Sequence, residues 1–447
     1  MKNEIKLEKT IKFNILILVS FVSLICIKFI NWFQSPSMDF WVYTDWLIDY
    51  SHGFVRRGLS GELIDFLSKL IQPTAFVALI IWLIFIFFSF EYIRLLIKSI
   101  NKLRPGLFLA ALFLPCLLPF YLFDLAAFGR KEILGFLIIF YHIYCLRKFD
   151  NAKVKDLDAV AFIKDYLLKL LPITFILLPV TILIHESAIL LFVPMHMIIT
   201  YTTIRLDPSI NIRKAVIHLV IMYLPVFFTF SIIFFFGLPK PGVAQEICIK
   251  WENLQALPAG LCAISGNDPM WALPGSFAAL QWSLSQAVSL TLSFSASTIL
   301  NWVVIILIMG SSVIYLGIMI SSSILNQHPF GETKIFLIPK HSFIMCLKFF
   351  ILPLIISTPL YFLGWDLGRW FAVICINYLI VCLSREVYFE HIYFTTFAGK
   401  EIVFLSKSLT FNKLLPFLEF LSLLLIVFLL RLPHCCITLE KMWFLKP

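Results

Sequence analysis

The stretch TAFVALIIWLIFIFFSFEYIRLLI, residues 74–97, decides the fold class of this chain. Its charged residues, Glu91 and Arg94, lie close to its end. A helix that crosses a bilayer needs about 20 mostly apolar residues, so we interpret this stretch as a membrane span. The composition agrees, because 60% of the 447 residues are hydrophobic, 14% are charged and the mean hydropathy is +0.94. A soluble domain carries about 25% charged residues, and the sequence therefore predicts an all-α membrane protein.

Eleven apolar stretches of this kind follow one another along the chain. They cover residues 13–33, 74–97, 106–123, 132–146, 168–184, 188–204, 215–237, 299–320, 343–363, 370–384 and 414–431. We therefore predict a polytopic protein with 11 transmembrane helices. Because the sequence contains no internal repeat and no low-complexity linker, we predict a single membrane domain over residues 1–447.

Lysine and arginine indicate the orientation of these spans, since cytoplasmic segments of membrane proteins are enriched in both. With the N-terminus in the cytoplasm, the inner segments contain 23 of the 36 basic residues and the outer segments contain 11. The odd number of spans then places the C-terminus in the periplasm. Residues 34–73 form the first periplasmic loop, in which we expect interfacial helices, and residues 238–298 form the largest periplasmic loop. This bias also explains the net charge of +10, so we expect no nucleic-acid partner.

Four short clusters of unusual residues fall on the outer side of this topology. They are YSHGFVRRGLSG at residues 50–61, FGRKE at 128–132, HES at 185–187 and GWDLGRW at 364–370. Charged residues at the edge of a membrane are costly and are by default candidates for function. We therefore predict one functional site on the outer face.

The first two clusters carry the residues that we expect to bind an anion. Arg56 and Arg57 stand between glycines, and Arg forms bidentate contacts with phosphate. His52 is a further binding candidate in the same segment. Pro115 and Pro119 predict that the preceding helix is broken or kinked. Arg130 and Lys131 follow it and could hold a phosphate, with the next residue, a glutamate, orienting them. The alternatives are arginines at lipid headgroups for the first cluster and a helix-capping charge cluster for the second.

The last two clusters carry the candidates for proton transfer. His185 and Glu186 end a strongly apolar helix, where burial moves the pKa values of both groups toward neutrality. A general base requires such a pKa. Asp366 is a third catalytic candidate, and Arg369 lies three residues later on the same face of a helix. The alternatives are a structural network around His185 and an ion pair within an interfacial aromatic belt. No second histidine stands at ligand spacing, so we predict no metal site.

The largest outer loop, residues 238–298, contains the aromatic residues that could contact a sugar. Its stretch 276–295 has the composition of a helix, and long loops often bind ligands. Trp251, Trp271 and Trp282 are either sugar-stacking surfaces or anchors at the membrane interface.

Two cysteines of the same loop, Cys248 and Cys262, lie fourteen residues apart. In an oxidising compartment they could form a disulfide. The sequence leaves the bonded and the reduced state open.

An excess of arginine on the outer face requires an anionic partner. At a membrane surface this partner is a lipid-linked phosphate or diphosphate, because the chain has no phosphate-binding glycine loop for a nucleotide. A reaction that consumes such a lipid needs three things. They are neutralisation of the leaving group, a base for the acceptor hydroxyl and a site with little water.

The motifs GFVRRGL, GRKE, HE and DLGRW together resemble a group of bacterial inner-membrane proteins of surface polysaccharide assembly, the O-antigen polymerase (Wzy) class. The resemblance covers most of the chain as a topology with four short motifs. It implies a multi-pass protein of the bacterial inner membrane that polymerises undecaprenyl-diphosphate-linked oligosaccharide repeat units at the periplasmic face. It also implies a lipid-linked glycan and the bilayer as partners, a chain-length regulator protein as a further candidate partner, and no cofactor.

The resemblance also implies roles for individual residues. It assigns the diphosphate to Arg56, Arg57, Arg130 and Arg369, and the acceptor hydroxyl to His185 or Glu186. These residues belong to the four motifs that carry the resemblance. One departure is the outer loop in the second half of the chain, which is smaller than this class has.

Two other functions remain open. A membrane glycosyltransferase of the GT-C type uses a polyprenyl-phosphate sugar and has an essential acidic residue in its first outer loop, where Asp39, Asp45 or Asp49 could serve. A flippase of lipid-linked glycans would show inverted repeats and charges across both leaflets, and the sequence has neither.

Overall fold

The computed structural model of the chain describes residues 2–34, 38–124, 126–146, 159–205, 207, 209–263, 270–325, 344, 347–364, 366–384, 421–427 and 430–433. Within these ranges the regular structure is helical and contains no β-strand, as the sequence predicts. The helices that precede residue 205 are Lys2–Gln34, Phe40–Trp46, Gly58–Ser68, Pro73–Lys98, Pro105–Phe113, Leu118–Phe123, Ile133–Leu146, Ala159–Pro172, Ile173–Leu177, Leu178–Ile184, Ala188–Leu191 and Val193–Ile204. Those that follow are Ile212–Phe236, Val243–Asn253, Ser276–Gln281, Leu284–Leu292, Ala296–Leu325, Leu347–Ile351, Leu352–Leu363 and Leu367–Leu383.

Six helices in the described part of the chain are long and apolar enough to cross a membrane. They are Glu8–Trp32, Pro73–Lys98, Pro105–Phe123, Ile163–Ile184, Ile212–Phe236 and Ala296–Ser321. Four shorter apolar helices accompany them, namely Ile133–Leu146, Ala188–Ile204, Lys348–Leu363 and Leu367–Leu383. These ten coincide with the first ten predicted stretches, so the chain is a helical membrane protein. Half of the eleventh stretch, 414–431, lies outside the described residues, while residues 421–427 within it are helical. The count of 11 spans and their orientation remain predictions.

The third apolar stretch is broken at a proline. Pro115 has no N–H group and cannot donate to the carbonyl of Ala111, four residues earlier. The hydroxyl of Tyr92 donates to this carbonyl instead, at 2.5 Å. The chain therefore forms two separate helices, Pro105–Phe113 and Leu118–Phe123, and non-helical backbone at this depth is enclosed by protein.

The helix Leu367–Leu383 forms the centre of the bundle. All of its residues are buried, as expected for a helix that is apolar on every side. Its Asn377 amide donates to the carbonyl of Leu191 at 3.1 Å. By contrast, the helix Ile212–Phe236 exposes most of its residues, including a run of phenylalanines at its end, and therefore lies at the periphery.

The two long loops contain structure of their own. The segment that follows the first span forms the helices Phe40–Trp46 and Gly58–Ser68, and the first of these buries its residues from Val42 to Trp46. In the loop after residue 237, the described residues form three short helices and a disulfide between Cys248 and Cys262, whose Cα atoms are 5.7 Å apart. This separation lies in the usual range for a disulfide.

The close packing at Gly61 yields a test of the fold. The N–H of Gly61 donates to the carbonyl of Ile48 at 3.0 Å, and a Cβ added at Gly61 would collide with that carbonyl. We expect Gly61→Ala to lower the free energy of unfolding by about 1–3 kcal/mol. Gly310→Ala is the control, because its Cβ would meet Phe371 and Phe350 at 3.6 and 3.7 Å. Thermal unfolding in detergent measures both, and equal melting temperatures would contradict this packing.

Candidate functional site

The structure brings the four sequence clusters together at one end of the bundle. Ion pairs join the first cluster to the third and the second cluster to the fourth. Asp45, which precedes the first cluster, pairs with both Arg57 and Lys131 and so links the first cluster to the second. His185 of the third cluster lies 3.4 Å from Glu132 of the second. The residues that meet here are called the charge network: Asp45, Arg57, Arg130, Lys131, Glu132, His185, Glu186, Asp366 and Arg369. Segments that are far apart in sequence therefore form one site.

Arg57 connects the first loop to the turn at residues 185–187. Its Nε donates to both carboxylate oxygens of Glu186, at 2.9 and 2.8 Å, and its Nη2 donates to Oε1 at 2.7 Å. Its Nη1 donates to Oδ1 of Asp45 at 3.3 Å. Burial alone would lower the pKa of Arg57, but these two carboxylates raise it overall. The guanidinium is therefore charged and already occupied.

Lys131 is held in the same way. Its Nζ donates to the backbone carbonyl of Asp45 at 2.6 Å and lies 3.6 Å from Oδ2 of that residue. The side chain is 0% exposed and lies over the ring of Trp46. Burial lowers the pKa of Lys131 to about 8, against a partial compensation by Asp45. Lys131 therefore acts as the partner of Asp45.

Glu132 lies at the centre of the charge network. Its Oε1 is 3.2 Å from Nε of Arg369 and 3.4 Å from Nε2 of His185, and the side chain is 1% exposed. Neither contact has hydrogen-bond geometry, and within the described residues both carboxylate oxygens lack a hydrogen-bond partner. Glu132 is therefore an enclosed carboxylate.

The two residues of the predicted acid–base pair, His185 and Glu186, have different partners in this geometry. Glu186 faces Arg57, whose charge holds the pKa of this carboxyl well below its usual value even though burial raises it. His185 faces Glu132 and shares a hydrogen bond of 2.8 Å between its Nδ1 and the hydroxyl of Ser187. Burial lowers the pKa of His185, so the imidazole is neutral at pH 7. Adjacent residues at a helix end diverge, and here they have different partners.

Arg130 and Arg369 retain donors that no carboxylate of the described residues occupies. Arg130 is 7% exposed, and its Nε donates to the carbonyl of Ala126 at 2.8 Å. No carboxylate of the described residues lies within ion-pair distance of Arg130. Arg369 donates from Nη2 to Asp366 at 2.7 Å, while its Nη1 is buried without a hydrogen-bond partner in the described structure. Guanidinium groups with unused N–H donors have the chemistry that binding of an anion requires, so we call Arg130 and Arg369 the candidate anion site.

Asp366 lies at the candidate anion site, where it pairs with Arg369. Its side chain is 28% exposed, whereas those of Glu132 and Arg369 are 1% and 4% exposed. Asp366 is therefore the more accessible of the two carboxylates that contact Arg369, and Glu186, which pairs with Arg57, is 20% exposed.

Two predicted binding residues lie outside the charge network. Nη2 of Arg56 donates to the carbonyls of Ala279, Leu280 and Trp282, at 2.7, 3.3 and 3.1 Å, and so caps the helix that ends there. His52 is exposed, and its Nδ1 contacts the hydroxyl of Ser51. Their predicted roles in binding remain predictions.

Two carboxylates of the charge network have a larger part than the sequence suggests. Glu132 was expected only to orient its neighbours, and Asp45 only to serve a second candidate function. A signal for Asp45 does exist in the sequence, since it stands in an aromatic segment beside Trp46, where an unpaired carboxylate would be costly. No pattern in the sequence identifies Glu132 as the residue between Arg369 and His185.

The comparisons with known proteins agree with the fold in indicating a membrane protein. Residues 11–160, about one third of the chain, match the family model described as "Uncharacterised membrane protein Rv1490". No curated protein and no solved structure matches the chain. The chain is therefore a helical membrane protein, and its first third, which includes Asp45, Arg57 and Glu132, is similar to that family.

A pH titration tests the buried ammonium of Lys131. Its pKa in the folded protein is about 8, and its ordinary value is 10.5. Between these pH values the unfolded chain binds a proton that the folded protein has released, so the free energy of unfolding that Lys131 contributes increases with pH. We expect the melting temperature of the wild type, relative to Lys131→Met, to rise from pH 8 to pH 10.5. A constant difference across that range would show that Lys131 is not buried as described.

Proposed function

We propose that the chain is a glycosyltransferase of the bacterial inner membrane that polymerises undecaprenyl-diphosphate-linked oligosaccharide repeat units at the periplasmic face. One observation carries this proposal. Arg130 and Arg369 are both buried and close enough for their charges to repel each other, and both keep guanidinium donors that the described carboxylates do not occupy. A diphosphate has the charge and the oxygens to accept from both.

The chemistry of the leaving group supports this role. When a glycosyl group leaves a lipid diphosphate, negative charge develops on the diphosphate oxygens. Fixed cations in a site with little water stabilise that charge far more than cations in water do. Arg369 is held by Glu132 at its Nε and by Asp366 at its Nη2. Its position is therefore set before the substrate binds.

Asp366 is the base of the proposed reaction. The acceptor hydroxyl oxygen attacks the anomeric carbon of the donor, and the bond from that carbon to the diphosphate oxygen breaks. The hydroxyl proton passes to the carboxylate of Asp366, and the lipid diphosphate leaves with the electron pair. Asp366 suits this step because it is partly exposed beside the two guanidinium groups. His185 and Glu186 then support the site through Glu132 and Arg57.

Two observations support the periplasmic placement. The basic residues are biased toward the opposite side of the predicted topology. The disulfide between Cys248 and Cys262 lies in the loop that this topology places outside, and disulfides persist in oxidising compartments such as the periplasm.

A second candidate function is favoured by Asp45. A GT-C type transferase with a polyprenyl-phosphate sugar donor needs an acidic residue in the first outer loop. Asp39 caps a helix by accepting from the N–H of Val42, and Asp49 pairs with Lys250. Of the three candidate acids only Asp45 belongs to the charge network, where Lys131 and Arg57 contact it.

An envelope ladder assay tests the proposed polymerase. In a deletion strain, we expect Arg130→Gln and Arg369→Gln to reduce long polysaccharide chains about 100-fold while single repeat units remain on the surface. Asp366→Asn should give the same pattern. Arg213→Gln is the matched control, because Arg213 is an exposed arginine at the other side of the predicted topology. Immunoblots of the membrane fraction confirm that all variants are present in equal amounts.

The same assay separates the candidates. Chains of normal length that lack a branch sugar, together with loss of activity in Asp45→Asn but not in Arg130→Gln, would replace the polymerase with the GT-C transferase. Accumulation of repeat units on the cytoplasmic side would indicate a flippase. Normal chains in the Arg130 and Arg369 variants would overturn the proposed anion site.

A further inference from the structure

Three tryptophan side chains from two distant segments meet beside the charge network. The ring centroids of Trp41 and Trp271 are 6.1 Å apart, those of Trp271 and Trp282 are 5.0 Å apart, and those of Trp41 and Trp282 are 6.5 Å apart. Trp271 meets each of the other two edge to face, with interplanar angles of 79° and 78°. Trp271 is 38% exposed and the other two are partly exposed. We call this group the tryptophan platform.

The tryptophan platform is fixed by hydrogen bonds of the backbone and of one ring. The carbonyl of Trp41 accepts from the hydroxyl of Ser276 at 2.8 Å. The indole N–H of Trp282 donates to the carbonyl of Met270 at 2.9 Å, and the carbonyl of Trp282 accepts from Arg56. A site on rigid elements holds its aromatic faces in one orientation before a ligand binds.

Two links of the chain place the tryptophan platform next to the charge network. Trp41 and Asp45 are four residues apart in the helix Phe40–Trp46, so they lie on the same face, one turn from each other. Arg56, which contacts Trp282, directly precedes Arg57. The platform therefore borders the site on the side of the first outer loop.

We propose that the tryptophan platform binds a sugar ring of the acceptor glycan by stacking. This inference rests on the proposed glycosyl transfer, since it assigns the acceptor side of that site. The faces of an indole ring carry negative charge and attract the C–H groups of a pyranose. A lipid anchor would use the ring N–H at the headgroups, whereas the N–H of Trp282 is already donated to Met270. Trp251, in contrast, is fully buried and presents no face to a glycan.

Saturation-transfer NMR on the full-length protein in lipid nanodiscs tests this proposal. The probe is the repeat-unit oligosaccharide released by mild acid from the host strain's lipid-linked pool. We expect saturation of the sugar C–H protons with the wild type and an affinity about tenfold lower with Trp271→Ala. Trp271→Phe keeps an aromatic face and should restore most of the binding. Trp32→Ala is the control, because Trp32 is partly exposed on the first span and contacts Trp82 instead.

The outcomes separate this proposal from the proposed function. Equal affinity for wild type and Trp271→Ala would overturn the tryptophan platform, even if the ladder assay supports the polymerase. Unchanged glycan binding by Trp271→Ala, combined with a lower melting temperature of this variant in nanodiscs, would also overturn it and would identify Trp271 as a lipid anchor. Loss of binding in Trp271→Ala together with normal ladders in the Arg130 and Arg369 variants would keep the platform and reject the anion site on which the proposed polymerase rests.

Discussion

The structure depends on the requirement that a charge buried at the edge of an apolar bundle must have a partner. Removing an ion from water costs several kcal/mol, and a membrane protein offers little water to reduce that cost. Arg57 meets this requirement by binding Glu186 and Asp45 together. These contacts fix the first outer loop against the turn at residues 185–187. The contact between Glu132 and Arg369 fixes the second cluster against the fourth in the same way.

The ion pairs also determine the backbone at the start of the helix Gly58–Ser68. Arg57 has a φ of 67°, a left-handed conformation that costs a non-glycine residue about 1–2 kcal/mol. Three short contacts to Glu186 can offset a cost of this size, because each is a charge-assisted hydrogen bond. The next residue is Gly58, where a side chain would collide with Tyr50. The conformation at Arg57 therefore directs its guanidinium into the charge network, and Tyr50 leaves no space for a side chain at residue 58.

The sequence predicts the apolar helices and the side on which the unusual residues gather, because hydropathy and helix length depend on local composition. It also predicts the break near Pro115, since the missing N–H is a local property. The sequence does not predict the binding partner of each arginine. Arg56 and Arg57 are adjacent, yet one caps a helix more than 220 residues later and the other binds Glu186. That division depends on the conformation at Arg57 and on carbonyl groups from a distant loop.

The balance of charge in the network bears on how such a site would release its product. It contains the cations Arg57, Arg130, Lys131 and Arg369, and the carboxylates Asp45, Glu132, Glu186 and Asp366. The numbers are equal, but Arg369 is shared between Glu132 and Asp366, so Arg130 is left without a direct ion pair among the described residues. A diphosphate that binds Arg130 therefore gains strong local contacts while it makes the whole site negative. On the proposed function, the local contacts stabilise the charge that develops during transfer. The net negative charge of the occupied site disfavours retention of the lipid diphosphate afterwards.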